Sequence, residues 1–163
     1  MPAGHPKPRP GGAPLGALYC ALALDDGWLC QPKLDGVRAQ WRAGRLWSHE
    51  GRPLAGPLAT LRRVAPGRWL DGELFAGRYV VFDEPGREAP FGARFAGLAG
   101  LDGEGVEVCR ALDARQVTWA DIAVRFEGVV FKRLCGWYPH NQRVTSEWVK
   151  FRAAWGCAPL EVR

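Results

Sequence analysis

Short alternating runs of residues joined by tight turns constrain the fold of this chain more than any other feature. Val37, Ala39 and Trp41 alternate with polar residues ahead of an Ala43–Gly44 turn, and a similar pair of runs is joined by residues 76–78. Side chains of a strand alternate between its two faces, and tight turns join antiparallel neighbours, so both patterns predict β-hairpins. The predicted strands are residues 37–41, 46–48, 69–75, 79–82, 128–133 and 148–152.

Other segments have the periodicity of helices. Gly56–Pro57 opens a short apolar repeat that Pro66–Gly67 closes. Phe91, Phe95 and Leu98 lie at i, i+4 and i+7, which predicts a second helix, and a third is predicted over 115–124. Strand hairpins combined with a few helices predict an α+β fold with mostly antiparallel sheets.

The length of 163 residues predicts one domain with a sizeable core. Residues 1–14 contain five Pro and three Gly without apolar periodicity, which predicts a flexible tail ahead of a domain over 15–163. The apolar stretch 15–24 is too short to span a bilayer and has no convincing cleavage site after it, so no membrane association is expected. Five scattered cysteines without a CxxC pair favour a reducing compartment, and the prediction is cytoplasmic.

The basic residues are unevenly divided between arginine and lysine. The formal net charge is +5, which suits a polyanionic partner. Four of the 22 basic residues are lysines (Lys7, Lys33, Lys132 and Lys150), so the other 18 are arginines. Arginine is effectively always charged, whereas a desolvated lysine can lose its proton and act as a nucleophile. The lysines are therefore the candidates for covalent chemistry.

Two motifs near the predicted hairpins carry candidate chemistry. Lys33 lies beside the Asp35–Gly36 turn, with the cation Arg38 five residues further on, which makes it a candidate nucleophile. Asp71 and Glu73 flank one glycine, so on a strand both carboxylates share a face and offer oxygen ligands that suit Mg²⁺. Each pattern alone is also typical of a solvated turn.

Two further motifs lie on the last predicted strands. Glu127 precedes an apolar run that ends at Lys132, so an acid and a base lie at opposite ends of one strand. Lys150 and Arg152 share a strand face and could clamp a phosphate between them. Taken in isolation, both motifs are commonly solvated strand ends.

Taken in order, these motifs resemble the nucleotidyltransferase motifs of the ATP-dependent DNA ligases, a superfamily that includes RNA ligases and mRNA capping enzymes. The likeness covers residues 15–152 and is strongest to the ligase domain of bacterial end-joining ligases. It implies the adenylation domain fold, mostly antiparallel sheets flanked by helices. The matching segments are Lys33–Arg38 for motif I, Ser48–Gly51 for Ia, Asp71–Glu73 for III, Tyr79–Asp83 for IIIa, Glu127–Lys132 for IV and Lys150–Arg152 for V.

The resemblance implies that the Lys33 amine attacks the α-phosphorus of ATP, releases pyrophosphate and holds AMP through a phosphoramide bond. AMP then passes to the 5′-phosphate of nicked or broken DNA, and the 3′-hydroxyl displaces it during repair. The implied roles are phosphate binding by Arg38, Lys132, Lys150 and Arg152, binding of Mg²⁺ or Mn²⁺ by Glu73 and Glu127, stacking of Phe82 on adenine and orientation of the site by Asp35.

Several positions depart from the family pattern. His49 stands where motif Ia usually has arginine, and Arg52 is the candidate substitute for that phosphate contact. Gln31 stands where end-joining ligases commonly have glutamate, which leaves adenine recognition open. The span between motifs III and IV is short for the family, which predicts trimmed loops.

The expected domain is an adenylation domain without an OB-fold domain, because only residues 153–163 follow Arg152. A partner protein that supplies the OB-fold function is one expectation, and sealing of pre-adenylated ends is another. An RNA ligase and a non-catalytic nucleic-acid-binding module remain alternative functions. A guanylyltransferase of the capping type fits less well, and labelling with ATP against GTP distinguishes it.

Overall fold

A computed structural model describes residues 27–113, 116, 122, 124–140 and 147–152. Within these residues the structure gives bounds for nine strands and two short helices, and residues 122, 124 and 125 are also helical. The strands are β1 (Trp28–Lys33), β2 (Val37–Arg42), β3 (Arg45–Ser48), β4 (Pro53–Leu54), β5 (Leu70–Phe75), β6 (Arg78–Asp83), β7 (Val106–Val108), β8 (Gly128–Arg133) and β9 (Trp148–Arg152), and the helices are α1 (Leu58–Val64) and α2 (Phe91–Ala96).

The larger sheet has six strands in the order β4-β3-β2-β5-β6-β7, all antiparallel except the β6–β7 pair. Its two central hairpins turn at Ala43–Gly44 and Ala76–Gly77, where all four residues have positive φ. Two successive residues with positive φ form the turn whose twist matches that of paired strands. One face of this sheet packs on the main core, which includes the fully buried Trp41 and Leu61.

The smaller sheet has three antiparallel strands in the order β1-β8-β9. Its register pairs Lys33 with Gly128 and Gly128 with Arg152, so three predicted motifs meet at one end of this sheet. A Cβ atom on Gly128 would lie 1.8 Å from the Phe151 carbonyl oxygen, so this close pairing requires glycine. The glycine after Glu127 is thus explained by sheet packing.

The α+β prediction is confirmed, and the predicted hairpins, the first two helices and the last two strands lie at the expected places. Three strands, β1, β4 and β7, lie where the pattern predicts none. β4 and β7, with two and three residues, are too short to show alternation, and Gln31 and Pro32 interrupt the apolar run of β1. The predicted tail and most of the predicted third helix fall outside the described residues. Among the described residues, no helix is long and apolar enough to cross a membrane.

Candidate active site

A cavity of about 260 Å³ lies between the two sheets. Strands β1, β8 and β9 of the smaller sheet form one wall, and β2, β5 and β6 of the larger sheet contribute to the other. Four cations and one carboxylate line it, and this excess of positive charge suits an anion with several negative charges. These charged residues are Lys33, Arg38, Lys132, Lys150 and Glu73.

Lys33 ends β1 and reaches into the cavity with a carboxylate beside its amine. Its Nζ donates a hydrogen bond to Glu127 Oε2, and the other oxygen of Glu127 forms an ion pair with Arg152 Nε at 2.7 Å. The β1–β8 register places the two residues together, and the Glu127 N–H also donates to the Lys33 carbonyl at 2.9 Å. The Lys33 and Glu127 side chains are 20% and 24% exposed, so this amine is sheltered yet accessible.

Arg38 is fixed from the larger sheet by a buried carboxylate. Its Nε and Nη2 donate to the two oxygens of Asp71 at 3.1 and 2.7 Å, and the Asp71 side chain is 0% exposed. Burial opposes the charge on Arg38, but these hydrogen bonds hold its pKa above the ordinary value. Gly72 follows Asp71 because a Cβ there would lie 2.5 Å from the Val80 carbonyl oxygen.

Glu73, two residues further along β5, supplies the carboxylate of the cavity. Its Oε1 accepts a hydrogen bond from the Gly36 backbone N–H at 2.8 Å, which ties the turn after Lys33 to the larger sheet. Burial raises the pKa of Glu73, and the nearby Glu127 raises it further, whereas the Gly36 N–H and Lys33 lower it. A Cβ on Gly36 would lie 2.3 Å from the Leu74 carbonyl oxygen, so glycine is required at this turn.

Lys132 is enclosed by aromatic rings at the other end of the cavity. Its Nζ lies 4.4, 4.9 and 4.2 Å from the ring centroids of Phe82, Phe91 and Trp148, and it donates to the Phe82 carbonyl at 3.3 Å. The residue is 2% exposed, and this burial lowers the pKa of Lys132 to about 8, although Asp83 partly opposes the shift. Cation–π contacts with three rings compensate part of the lost hydration.

The lowered pKa of Lys132 predicts a pH dependence of stability. Between pH 8 and 10.5 the unfolded chain binds this proton more tightly than the folded protein, so the contribution of Lys132 to stability rises with pH. The shift corresponds to about 3 kcal/mol. The free energy of unfolding of the wild type and of Lys132→Met is measured with urea at a series of pH values. Between pH 8 and 10.5, the wild-type value should rise by up to this amount relative to that of the variant. A difference that is constant with pH would contradict the prediction.

Lys150 on β9 completes the cationic wall. Burial lowers its pKa, and the nearby cations Arg38 and Lys33 lower it further. Three cations so close together repel one another, and an anion with several charges would relieve that repulsion. The arrangement therefore favours a polyphosphate over a single carboxylate.

Gln31 is a polar group of the cavity that lacks partners. It is 2% exposed, and neither its amide oxygen nor its amide nitrogen has a hydrogen bond within the described part of the chain. Buried amides without hydrogen bonds are costly, so an amide of this kind lining a cavity indicates a ligand with both a donor and an acceptor edge. The six-membered ring of a purine base offers both a hydrogen-bond donor and an acceptor along one edge.

The structure brings together most of the residues predicted for the site. Six of them line the cavity, and Glu127 and Arg152 join it through the ion pairs at Lys33. Asp35 and Arg52 are exposed and do not line it, and Asp35 has no hydrogen bond or ion pair among the described residues. The six cavity residues are Lys33, Arg38, Glu73, Phe82, Lys132 and Lys150.

Two further residues, Tyr138 and Trp148, were not predicted as site residues. Asp71, expected with Glu73 as an oxygen ligand for Mg²⁺, is instead buried against Arg38. Asp71 and Tyr138 hold Arg38, and Trp148 packs against Lys132. The spacing of Asp71 and Glu73 on one strand already drew attention to Asp71. Tyr138 lies 100 residues from Arg38, and no local sequence pattern links the two. Trp148 was missed for the same reason, because only the pairing of β9 with β8 places it at the cavity.

Glu73 and Glu127 are the carboxylates that could hold a divalent cation. Among the described residues, no group of three or more His, Cys, Asp or Glu side chains is arranged to bind a metal ion. Mg²⁺ commonly uses only one or two carboxylates, with the remaining oxygens coming from water and substrate phosphates. Oxygen donors beside a cavity lined by four cations fit this mode of binding.

Comparison with solved structures defines the fold class. The chain resembles a Lig E DNA ligase (19% identity, TM-score 0.60, 77% of this chain and 62% of that one) and the ligase domain of M. tuberculosis LigD (23%, 0.56, 77% and 53%). It also resembles Chlorella virus DNA ligase-adenylate (17%, 0.60, 79% and 62%). The chain therefore has the α+β fold of the DNA ligase nucleotidyltransferase domains, and the resemblance seen in the motifs is confirmed at the level of fold.

Sequence comparison gives a narrower match to the same kind of protein. A DNA ligase of Haemophilus influenzae is 38% identical over 53 residues, which is 32% of this chain and 19% of that ligase. No family model matches the chain. The chain spans about a fifth of this curated relative and 53–62% of the three solved ligases.

Proposed function

We propose that this protein is the adenylation domain of an ATP-dependent DNA ligase. The observation that carries the proposal is the Lys33 amine in a cavity with three other cations and an unpartnered amide, on the fold of the solved ligases. The amine is a nucleophile, the cations suit a triphosphate, and the amide suits a purine base.

In the proposed first step, Lys33 Nζ attacks the α-phosphorus of ATP. The N–P bond forms as the bond from phosphorus to the β-phosphate oxygen breaks, and pyrophosphate leaves. Glu127 Oε2, which accepts a hydrogen bond from Nζ, is placed to receive the amine proton. Arg38 and Lys150 hold phosphate oxygens in line with the amine, where positioning and charge neutralisation dominate catalysis.

A divalent metal, bound by Glu73 and Glu127 together with the phosphates, would supply further neutralisation of the negative charge. The Gly36 N–H already orients Glu73, and Arg152 already orients Glu127, so both carboxylates are held at the cavity before substrate binds. Pre-oriented carboxylates need little rearrangement when substrate arrives.

The nucleic-acid step belongs to the same proposal. AMP passes from Lys33 to a 5′-phosphate at a nick or break in DNA, and the 3′-hydroxyl displaces it. Phe82 is proposed to stack on adenine, since its ring lines the cavity next to Trp148. Both Asp35 and Arg52 are exposed, and we propose that they contribute only after substrate binds.

The test is the intact mass of the protein after incubation with ATP and Mg²⁺ or Mn²⁺, with GTP in parallel. We expect a mass increase of one AMP with ATP, a smaller or absent GMP adduct, and peptide mapping that places the AMP on Lys33. No adduct with either metal contradicts self-adenylation. Pre-adenylated nicked DNA and the matching RNA then test the sealing step, and failure to seal either would overturn the ligase proposal.

A further inference from the structure

Tyr138 connects the two walls of the cavity through its hydroxyl. The hydroxyl accepts a hydrogen bond from Arg38 Nη2 at 3.0 Å and donates one to Asp71 Oδ2 at 2.5 Å. Asp71 Oδ2 also accepts from Arg38 Nη2 at 2.7 Å, so the three groups form a closed triangle. One phenol oxygen thus contacts both members of the ion pair.

The ring of Tyr138 is held by the smaller sheet and its neighbours. It packs edge-on against Trp148 at 5.7 Å and against His140 at 4.8 Å, and the Arg94 guanidinium lies 5.8 Å from its centroid. Trp148 in turn contacts the Lys132 ammonium. Trp148 thus ties the ring to the smaller sheet, and Arg94, which is hydrogen-bonded to Asp83 at the end of β6, ties it to the larger sheet.

The second contact matters because Arg38 is only partly sheltered. Its side chain is 41% exposed, whereas Asp71 is fully buried, so the carboxylate fixes one edge of the guanidinium and leaves the rest near solvent. Within the described residues, the hydrogen bonds of Arg38 use Nε and Nη2, and Nη1 is left for a ligand in the cavity. A guanidinium restrained at two points presents a third donor in a defined direction.

Tyr138 is suited to this position because it stays protonated. Burial raises the pKa of Tyr138, and the negative charge of Asp71 raises it further. The phenol therefore donates to Asp71 and accepts from Arg38 throughout the usual pH range. A phenylalanine there would keep the ring contacts but lose both hydrogen bonds.

We propose that Tyr138 is a positioning residue that orients Arg38 toward a phosphate group of the nucleotide. This inference rests on the proposed nucleotide site, and it adds a residue that acts through Arg38 without touching the substrate.

The test compares binding of an unreactive ATP analogue, with methylene between the α- and β-phosphates, and of adenosine. Tyr138→Phe should weaken binding of the analogue about tenfold, the scale of one hydrogen bond to a charged group, and change adenosine affinity less than about twofold. In an Arg38→Gln background, Tyr138→Phe should change analogue affinity less than about twofold, since the residue through which it acts is gone.

Tyr79→Phe is the matched control. It also removes a buried tyrosine hydroxyl, one that donates to the Ala39 and Leu70 carbonyl oxygens at 3.0 and 3.3 Å without touching Arg38. It should leave the ratio of analogue to adenosine affinity unchanged. Thermal unfolding of each variant confirms that binding is compared between folded proteins.

The outcomes separate this inference from the proposed function. The positioning role would be overturned if Tyr138→Phe weakened binding of the analogue and of adenosine equally, or weakened neither. It would also be overturned if Tyr138→Phe lowered analogue affinity as much in the Arg38→Gln background as in the wild type. The expected binding pattern without an AMP adduct would support Tyr138 and count against the adenylation proposal. A wild-type protein that binds neither ligand would overturn both.

Discussion

Replacing Lys33 with arginine is expected to reduce the AMP adduct below detection while the domain stays folded. Arginine keeps a cation beside Glu127, which accepts the hydrogen bond from the Lys33 amine. Its guanidinium remains protonated, however, and cannot attack phosphorus as an amine does. The measurement is intact mass after incubation with ATP and Mg²⁺, together with the urea midpoint of both proteins.

Lys7→Arg provides the control for this variant, since Lys7 lies in the predicted tail and in none of the motifs. It should form the adduct as the wild type does. An adduct of equal yield in Lys33→Arg would show that another group is the nucleophile. Lys150 would then be the first alternative, because it lines the same cavity.

Replacing Arg94 with methionine is expected to lower the free energy of unfolding by about 3–5 kcal/mol, the cost of leaving a buried charge without its partner. Arg94 Nε and Nη2 donate to the two oxygens of Asp83 at 2.7 and 3.1 Å, and both side chains are at most 1% exposed. Arg94 Nη1 also donates to the carbonyl oxygens of Ala89 and Gly136. Urea unfolding of the wild type and the variant measures the loss.

An exposed ion pair on the same sheet supplies the comparison. Arg78 and Glu107 meet at 3.1 Å with side chains 63% and 37% exposed. Water screens such a pair, so Arg78→Met should cost less than about 1 kcal/mol. Equal losses in the two variants would contradict the role assigned to burial.

The Arg94 variant also bears on the site. Arg94 joins β6 and α2 to the Gly136 carbonyl, two residues before Tyr138, and its guanidinium lies against the Tyr138 ring. Loss of this arginine should therefore loosen the segment that orients Arg38. The same buried side chain therefore contributes both to the stability of the core and to the geometry of the cavity.

Much of the fold could be predicted because its signals are local. The hairpin turn at Ala43–Gly44 and the alternation through Ala39 and Trp41 lie within a few residues of one another, and the structure places strands and turn as expected. The pairing of β1 with β8 joins residues about 100 positions apart, and alternation carries no information on which strands pair. The division into two sheets therefore depended on the folded chain.

The charged residues of the site could be predicted from the sequence, since the motifs around Lys33, Glu73, Lys132 and Lys150 contain the groups that line the cavity. The contacts that hold these groups in place form only in the folded chain. The Tyr138 triangle at Arg38, the aromatic rings around Lys132 and the unpartnered amide of Gln31 each join distant segments. The sequence gives the chemical type of each side chain, whereas its burial and the direction of its hydrogen bonds arise only once the two sheets pack together.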